Sequence, residues 1–485
     1  MRSAFFQFAS SSIHFAASLE ILRDESISGG ENFYCIWGAQ TKYPGRMSVE
    51  LEKLRSGLPK NIINLIKHAD NKVDITSEIN FDVDWVDAMT AKLVTKISYI
   101  NNVSMLQSIN SDGINPGAAL ANEITTLTKN KDIELQNNTS LIELLTRSYL
   151  QVYSATNIFI NKNKINQIYI YNGRFLHERA AWDAARAKNI SVLLFETTRN
   201  HYFLRKEGFH SRTNNQRVML EHWEKSNLPI EKRIEIGAKY FMELRNKLRP
   251  FVTETKKQLT ISKPYFVYYS SSDDELIGFW DEWSEPLGEQ LDCVKKLQEI
   301  FESQSTYELV IRIHPNLKNK SQKQKQGWAQ ISSTNSSRVI QSEEKISSYE
   351  LLENSVGSIS FGSTIGLESA FALKPSLVIA DCGYDLIGVV DKANSWAYIS
   401  NWIKKGHKIS SDELNKRKIN ACIRGFFVST GGLDFKYTQL TDKGLGAWDA
   451  VMFDGMDMKF RKVSIISKKI INRIKFKKVT SIINK

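Results

Sequence analysis

Two hydrophobic rhythms alternate along this chain. Short apolar runs of strand length occur at Ala4–Ala9, Phe33–Trp37, Gln167–Tyr171 and Ser191–Glu196. Between them lie stretches with apolar residues at helical spacing: Phe15–Arg23, Met47–Leu58, Asn61–His68 and Leu176–Ala187. Residues 70–115 follow neither rhythm, and 215–260 is helical and charged. After Arg249-Pro250 and Lys263-Pro264, which bracket an expected interdomain connection, the alternation resumes. Tyr265–Ser270, Leu309–Ile313, Val339–Ile340, Ser358–Phe361 and Ser376–Ala380 read as strands. Glu289–Glu302, Ser347–Asn354 and Leu367–Leu373 read as helices, Lys318–Lys325 as a lysine-rich loop, and 411–455 as further helices. Strands alternating with helices predict parallel sheets, and 485 residues suffice for two such domains.

Composition narrows the class. At 42% hydrophobic and 11% aromatic residues the chain is globular, and no run approaches the ~20 apolar residues of a membrane span. The opening MRSAFFQFASSSIHFAASLEIL is interrupted by Gln7, Ser10–Ser12, His14 and Glu20, so it reads as a first buried strand rather than a signal peptide. Cys35, Cys293, Cys382 and Cys422 are scattered, which argues against a disulfide framework or a zinc site and fits a reducing cytoplasm. The net charge is +12, and beyond Asp457 ten basic residues occur with no acidic one. A nucleic-acid binder spreads such charge over a folded face, so the asymmetry argues against nucleic acid as a partner. In the tail, Val463, Ile466, Ile470 and Ile474 fall at helical spacing beside Lys462, Lys469 and Arg473, as in an interfacial helix on anionic lipid. A solvated basic end or a nucleic-acid tail are the alternatives.

The most informative stretch is SISFGSTIGLESAFALKPSLVI, residues 358–379. Gly362, Ser363, Thr364 and Gly366 form a small-residue turn from strand into helix. Free backbone N–H groups at such a turn can receive a phosphate or diphosphate. Glu368, one turn into the helix, is placed to accept from a ribose, as an acidic residue does in dinucleotide folds. One unit upstream, Arg312 and His314 lie two apart at a strand end stopped by Pro315, on one face and suited to phosphate; the plainer reading of His314 is a strand cap. The loop Ser270–Glu275 follows the first strand of the second half. Its Ser271 is placed to meet a sugar or a phosphate, while Asp273 and Asp274 suit a cation or, with Glu275, simply a solvated loop. In the first half, His14 follows the first strand and suits a general base, with a solvent-facing loop histidine as the alternative. Asn172 and Arg174, at the end of a strand, suit an anionic acceptor; Glu196, at the end of the next, suits a base or a stabiliser of positive charge. Arg179 and Arg186 share a helix face and read as surface charges.

The order of strand, Arg-x-His-Pro, helix Tyr349–Glu353, Phe-Gly-Ser-Thr-x-Gly-x-Glu-Ser and Lys-Pro-Ser resembles the C-terminal half of GT-B glycosyltransferases. It is most similar to bacterial capsule and surface-polysaccharide enzymes, with the Kdo-transferase and sialyltransferase relatives among them, over residues 264–400. The resemblance implies an α/β GT-B fold, with two Rossmann-like domains facing a central cleft and a basic C-terminal tail. The domains would run 1–255 for the acceptor, 264–410 for the donor, 411–455 for helices returning across the seam, and 456–485 for a membrane-associating tail. It implies that His314, Pro315, Ser363 and Thr364 hold the nucleotide phosphate and Glu368 the ribose, with no metal or other cofactor required. Some relatives take their base from an acidic pair before glycine; Ser111-Asp112-Gly113 matches half of that pattern, which makes Asp112 a third candidate base beside His14 and Glu196. The expected protein is a cytoplasmic transferase, peripheral to the inner membrane face, that moves a sugar from a nucleotide sugar to a glycan or lipid-linked acceptor. A nucleotide-sugar epimerase, a polyol-phosphate transferase, or a non-catalytic binding scaffold are the alternatives.

Overall fold

The computed structural model describes residues 1–8, 11–37, 60–128, 130, 133–198, 200–206, 208–248, 261, 263–271, 283–304, 306–405, 408–444 and 447–458. The chain divides into two compact units: Met1–His210 joined by the chain from Gly432 onward, and Ser211–Gly431. The Met47–Leu58 helix, the Asp273–Glu275 acidic run and the basic tail after Met458 lie outside the described residues.

The first unit begins β1 (Arg2–Phe6), α1 (Ser12–Ile27), β2 (Glu31–Cys35), α2 (Lys60–Ala69) and β3 (Asp74–Thr76). A helical insertion follows, α3 (Val83–Ile97), α4 (Gly117–Thr128) and α5 (Thr139–Asn163), covering the stretch whose periodicity was mixed. Then come β4 (Gln167–Tyr171), α6 (Leu176–Ala187), β5 (Ser191–Thr198) and β6 (His201–Arg205). The sheet order is β3-β2-β1-β4-β5-β6, parallel from β3 to β5 and antiparallel at β6. This is the doubly wound order, which reverses direction between β1 and β4. Helices cover both faces, so β1 is buried along nearly its whole length, and Phe5 stacks between Tyr34 and Tyr169 at centroid distances of 5.9 and 4.6 Å.

The second unit opens with α7 (Arg212–Glu224) and α8 (Ile230–Leu248), then β7 (Tyr265–Tyr269), α9 (Gln290–Glu302), β8 (Glu308–Arg312), α10 (Gln322–Ala329), β9 (Ser337–Ile340) and α11 (Ser348–Asn354). It continues with β10 (Gly357–Ser360), α12 (Ile365–Phe371), β11 (Ser376–Val378), β12 (Asp391–Lys392), α13 (Trp396–Lys405) and α14 (Ser411–Thr430). All pairings are parallel in the order β12-β11-β10-β7-β8-β9, a full six-strand Rossmann order reversing between β7 and β10. Two Rossmann-like units in tandem are the chain plan of the GT-B class, as the motifs led us to expect.

Three boundaries differ from the sequence reading. The first unit closes at His210 rather than 255, because α7 and α8 pack on α14 of the second unit. The α8–α14 crossing is close: a side chain at Gly237 would run into the backbone of Cys422, and one at Gly425 into the backbone of Gly237. Residues 318–325 are not one loop. A 3-10 turn, Pro315–Asn319, gives way to α10, whose N-terminus is capped by the Ser321 hydroxyl accepting from Gln324 N–H at 3.2 Å. Of 411–455 only α14 is helical. Thereafter β13 (Leu433–Asp434) adds to β6, and β14 (Thr438–Gly444), β15 (Ala447–Phe453) and β16 (Met456–Asp457) form an antiparallel meander.

That meander packs on α1 and α2: Ala450, Phe453 and Met458 join the core containing Leu19, Ile62, Leu65 and Ile66. Covered in this way, α1 is buried from Phe15 to Leu22, Glu20 included. The Glu20 carboxylate accepts from the N–H groups of Lys436 and Tyr437, both at 2.9 Å, and from the Thr438 hydroxyl at 2.7 Å. Burial raises its pKa and the three donors counter that rise. At the start of α1, Ser12 bonds the Asp449 carboxylate and accepts from Ala450 N–H at 3.3 Å. Glu20→Ala would take the acceptor from three partly buried donors, at a cost on the order of 2 kcal/mol. Glu20→Gln, which keeps one acceptor oxygen, should lose about half of that in urea denaturation; equal stability of both variants and wild type would refute the assignment.

Candidate functional site

Ligands of open α/β sheets bind beyond the carboxyl ends of the strands, where the strand order reverses. In the second unit that point lies at the ends of β7 and β10, and three loops are laced together there. The Ser270 hydroxyl accepts from His314 N–H at 2.7 Å, joining β7 to β8. The Ser271 hydroxyl donates to the Phe361 carbonyl at 2.6 Å, joining β7 to β10. Gln290, the first residue of α9, accepts from Ser271 N–H at 2.7 Å and donates to its carbonyl at 3.2 Å. Motifs some ninety residues apart in sequence thus meet in one place.

The turn after β10 is built as its small residues require. Gly362 has φ +81°, and a Cβ there would lie 3.1 Å from the Asp381 carbonyl oxygen, so only glycine fits. Among the described residues no acceptor meets the N–H groups of Gly362, Ser363 or Thr364. Ser363 is half-buried and Thr364 exposed, so these amides are open to a ligand. The helix that follows has only seven residues, and its dipole adds little to the cradle. Gly366 serves packing, since a side chain there would collide with Tyr384, whose hydroxyl bonds the Ser363 carbonyl.

The neighbouring candidates divide. Arg312 is 5% exposed, and its guanidinium donates to the carbonyls of Gln341 at 2.6 Å and Glu344 at 3.1 Å. It fastens the loop after β9 and is not presented to a phosphate, which corrects the sequence reading. His314 caps the following 3-10 turn: its Nδ1 accepts from Asn316 N–H at 3.1 Å, so the ring proton belongs on Nε2. Pro315 is the exposed first residue of that turn. Ser271 holds the two loops together. Glu368 hydrogen-bonds Tyr349 of α11, and burial pushes its carboxyl up to about 7.

A charged cluster that the sequence did not reveal stands beside the turn. Asp385, its side chain fully buried, receives both Arg212 at 2.7 Å and Lys392 at 3.1 Å. Asp381 pairs with Lys392 and accepts from the Ser284 N–H at 2.8 Å and hydroxyl at 2.6 Å. Two acids against two bases make the cluster neutral and internally satisfied. Among the described residues no group of three or more His, Cys, Asp and Glu side chains is arranged to hold a metal.

The first unit gathers its candidates at the β1/β4 reversal. His14, in the first turn of α1, stacks on Tyr171 at 4.0 Å and lies 3.8 Å from the Glu196 carboxylate. Its Nδ1 is buried without a partner among the described residues. The Glu196 carboxylate bonds the Asn172 amide and the Tyr171 hydroxyl and accepts from Thr197 N–H at 2.9 Å. Asn172 has φ +57° and is 4% exposed, and its Oδ1 meets His210 Nε2 at 2.7 Å. It therefore positions Glu196 rather than facing an acceptor. Burial raises the pKa of Glu196 and lowers that of His14 to about 4 and that of His210 to about 3, Arg174 adding to the latter. Arg174 is half-buried over the Phe175 ring at 4.8 Å. Arg179 is buried, with Asp183 at 2.9 Å, contrary to its expected surface place. Asp112 stands apart: it is exposed in a turn and paired with Lys92 at 2.9 Å, which lowers its pKa and unfits it as a base. Tyr171 and His210 carried no motif that would have singled them out.

The Glu368 carboxyl gives a pH signature. Its folded pKa of about 7 exceeds the ordinary value of 4.5, so the fold favours the protonated form. The resulting stabilisation is complete below pH 4.5 and disappears as pH rises through about 7. Glu368→Gln, a mimic of the neutral acid, should abolish a loss on the order of 2 kcal/mol between pH 5 and 8. Identical pH–stability curves for the two proteins would contradict the buried placement.

No family model and no curated protein matches the sequence. Among solved structures, the chain is similar to the KpsC beta Kdo 2,4 transferase of Thermosulfurimonas dismutans, at 12% identity over 53% of this chain and 79% of that one, with a TM-score of 0.35. It is similar to the UDP-GlcNAc 2-epimerase of Neisseria meningitidis bound to UDP-GlcNAc, at 12% identity over 88% and 96%, TM-score 0.33. A third similar structure is the calicheamicin glycosyltransferase CalG4, at 10% identity over 89% and 95%, TM-score 0.26. Overlays this loose fix neither activity nor substrate, and the two-unit plan rests on strand order.

Proposed function

We propose that the chain is a glycosyltransferase that moves a sugar from a nucleotide sugar to a glycan acceptor, the second unit binding the nucleotide and the first activating the acceptor. The observation that carries this reading is the pairing of His14 with Glu196 at the first unit's switch point. A group-transfer enzyme needs a proton acceptor there, whereas a nucleotide-binding scaffold does not.

The chemistry follows from the groups present. Burial keeps the His14 imidazole unprotonated at neutral pH. Its Nε2 takes the proton of an acceptor hydroxyl as the oxygen attacks the anomeric carbon. Glu196 lies 3.8 Å from that same Nε2, too far for a hydrogen bond, which leaves the nitrogen's lone pair free for the incoming proton. Glu196 then offsets the imidazolium charge. The bond from anomeric carbon to phosphate oxygen breaks, and the nucleotide leaves with the electron pair. The N–H groups of Gly362, Ser363 and Thr364 meet the charge gathering on that phosphate, a form of electrostatic stabilisation that requires no metal. The acceptor we favour is lipid-linked. The basic, isoleucine-rich tail beyond Met458 suits a cytoplasmic protein held at an anionic membrane surface. Among the described residues no helix is long and apolar enough to cross a membrane.

The test is turnover of a panel of radiolabelled nucleotide sugars with extracted lipid-linked glycans. His14→Ala should lower kcat by about 10²–10⁴-fold while leaving nucleotide affinity unchanged. The acid limb of the kcat/KM profile should fall near pH 4, following the lowered pKa of His14. A limb near the ordinary histidine value of about 6.5 would show that His14 is not the base. Change of sugar configuration without loss of the nucleotide would make the protein an epimerase. If no nucleotide sugar is turned over and none shifts the melting temperature, the reading fails.

A further inference from the structure

Glu196 stands at one end of a chain of hydrogen bonds that passes through Asn172 to His210. The Glu196 carboxylate bonds the Asn172 side-chain amide, and Asn172 Oδ1 meets His210 Nε2 at 2.7 Å. Each link has a direction. A carboxylate only accepts, so the Asn172 NH2 group faces Glu196 and Oδ1 faces the ring. That oxygen also only accepts, so the bond needs a proton on His210 Nε2. Burial keeps the ring neutral, with its pKa lowered to about 3, so it has a single proton to place. The opposite direction is chemically complete as well. A protonated Glu196 would donate to Oδ1, the NH2 group would donate to a bare His210 Nε2, and the ring proton would sit on Nδ1. The two arrangements differ by a half-turn of one amide, one proton gained at Glu196 and one relocated on His210.

The surroundings favour the first direction. Glu196 also takes a hydrogen bond from the Tyr171 hydroxyl and one from Thr197 N–H at 2.9 Å, and three donors suit an anion. Arg174, on the loop after β4, favours an ionised Glu196 and opposes positive charge on His210. His14 faces the carboxylate from α1 at 3.8 Å. Burial works the other way, toward the neutral acid. Against that tendency each donor counts, and Asn172 differs from Thr197 N–H in being able to present an acceptor instead. Its backbone does not decide the matter. Asn172 and Gly173 form a left-handed turn at φ +57° and +78°, and the Asn172 N–H bonds the Phe195 carbonyl at 2.8 Å. Glycine would meet the same demand at 172, so the turn fixes the main chain and leaves the amide free to rotate. Which end of the amide faces Glu196 is set by what meets its other end.

Resting on the reading of His14 and Glu196 as the reacting pair, we infer that His210 is a positioning residue: its Nε2 proton holds the Asn172 amide with the NH2 group toward Glu196, and so keeps Glu196 the anion that a protonated His14 needs beside it. It acts through Asn172 and not on Glu196 directly.

Infrared titration of the ligand-free protein reads this role, with Glu196→Gln identifying the Glu196 carboxyl band. His210→Phe keeps a flat ring, removes the donor, and should move protonation of Glu196 to higher pH. His210→Gln, whose amide nitrogen reaches the place of Nε2, should restore the wild-type midpoint. Asn172→Gly suits the left-handed turn and should also raise the midpoint; adding His210→Phe to it should change nothing more. Nitrogen NMR should find the His210 proton on Nε2. An unmoved midpoint in His210→Phe overturns the inference. So does a glutamine that fails to restore it, a further shift in the double variant, or a ring proton on Nδ1. In turnover, His210→Phe should lower kcat about tenfold at unchanged KM, and a change confined to KM counts against the role. Should His210→Phe not fold, His210→Ala serves for the same comparisons. The titrations need no substrate: if no nucleotide sugar is turned over while the midpoints move as expected, the functional reading fails and the hold of His210 on Glu196 stands.

Discussion

The first unit depends on a buried carboxylate. Glu20 sits in the middle of α1, on a helix with no solvent-facing side along Phe15–Leu22. An isolated carboxylate in that place would be expensive, and it persists because residues 436–438 bring it two backbone N–H groups and a hydroxyl. The bond couples the two ends of the chain. It fixes where β14 begins, which fixes the meander, and the meander in turn grips Ser12 through Asp449 and Ala450. His14, two residues further on, owes its position against Tyr171 and Glu196 to that grip. The His14–Glu196 contact and the C-terminal meander are therefore a single mechanical assembly, although more than 400 residues separate them in the sequence.

What the sequence disclosed and what it hid follow a physical division. Strands buried on both faces read as continuous apolar runs, so β1, β2, β4, β5, β7, β8 and β10 were visible, and with them the two parallel sheets. The small-residue turn was visible because a left-handed φ at Gly362 leaves a signature in residue type. Long-range partners leave none. Arg312 and His314 looked equivalent, two apart on one strand. Only the path of the loop after β9 decides that Arg312 is consumed by the carbonyls of Gln341 and Glu344. The meander was mistaken for helix because its strands are irregularly paired, with register shifts after Gln439 and Asp442. In α10, QKQKQGWA, the buried positions are a glutamine and a tryptophan four apart, which no scan for aliphatic periodicity would find.

The two switch points use their polar groups in opposite ways. At the first unit's switch point Glu196 is answered by Asn172, Tyr171 and Thr197, and Asn172 by His210. His14 differs: its Nδ1 is unpaired among the described residues and its Nε2 stands just beyond bonding distance of Glu196. Such a network resists the entry of charge. In the second unit the side chains are spent on lacing loops together, through Ser270, Ser271 and Gln290, and on the neutral cluster of Asp381, Asp385, Arg212 and Lys392. Among the described residues, the main-chain N–H groups of the turn are left open, and so are the buried Arg312 Nε and Gln324 Oε1.

That difference bears on how the work is divided. Backbone amides held by a rigid loop bind an anion with little reorganisation, and they cannot take up a proton. A buried histidine beside a carboxylate can take up a proton but, being neutral and desolvated, offers an anion little. Among the described residues, the second unit's turn presents main-chain donors and the first unit's switch point presents titratable side chains. The tandem repeat of one strand order has thus been filled with two complementary sets of side chains. The chemistry each switch point can support is set less by its place in the sheet, which is the same in both units, than by which of its polar groups the surrounding packing leaves unanswered.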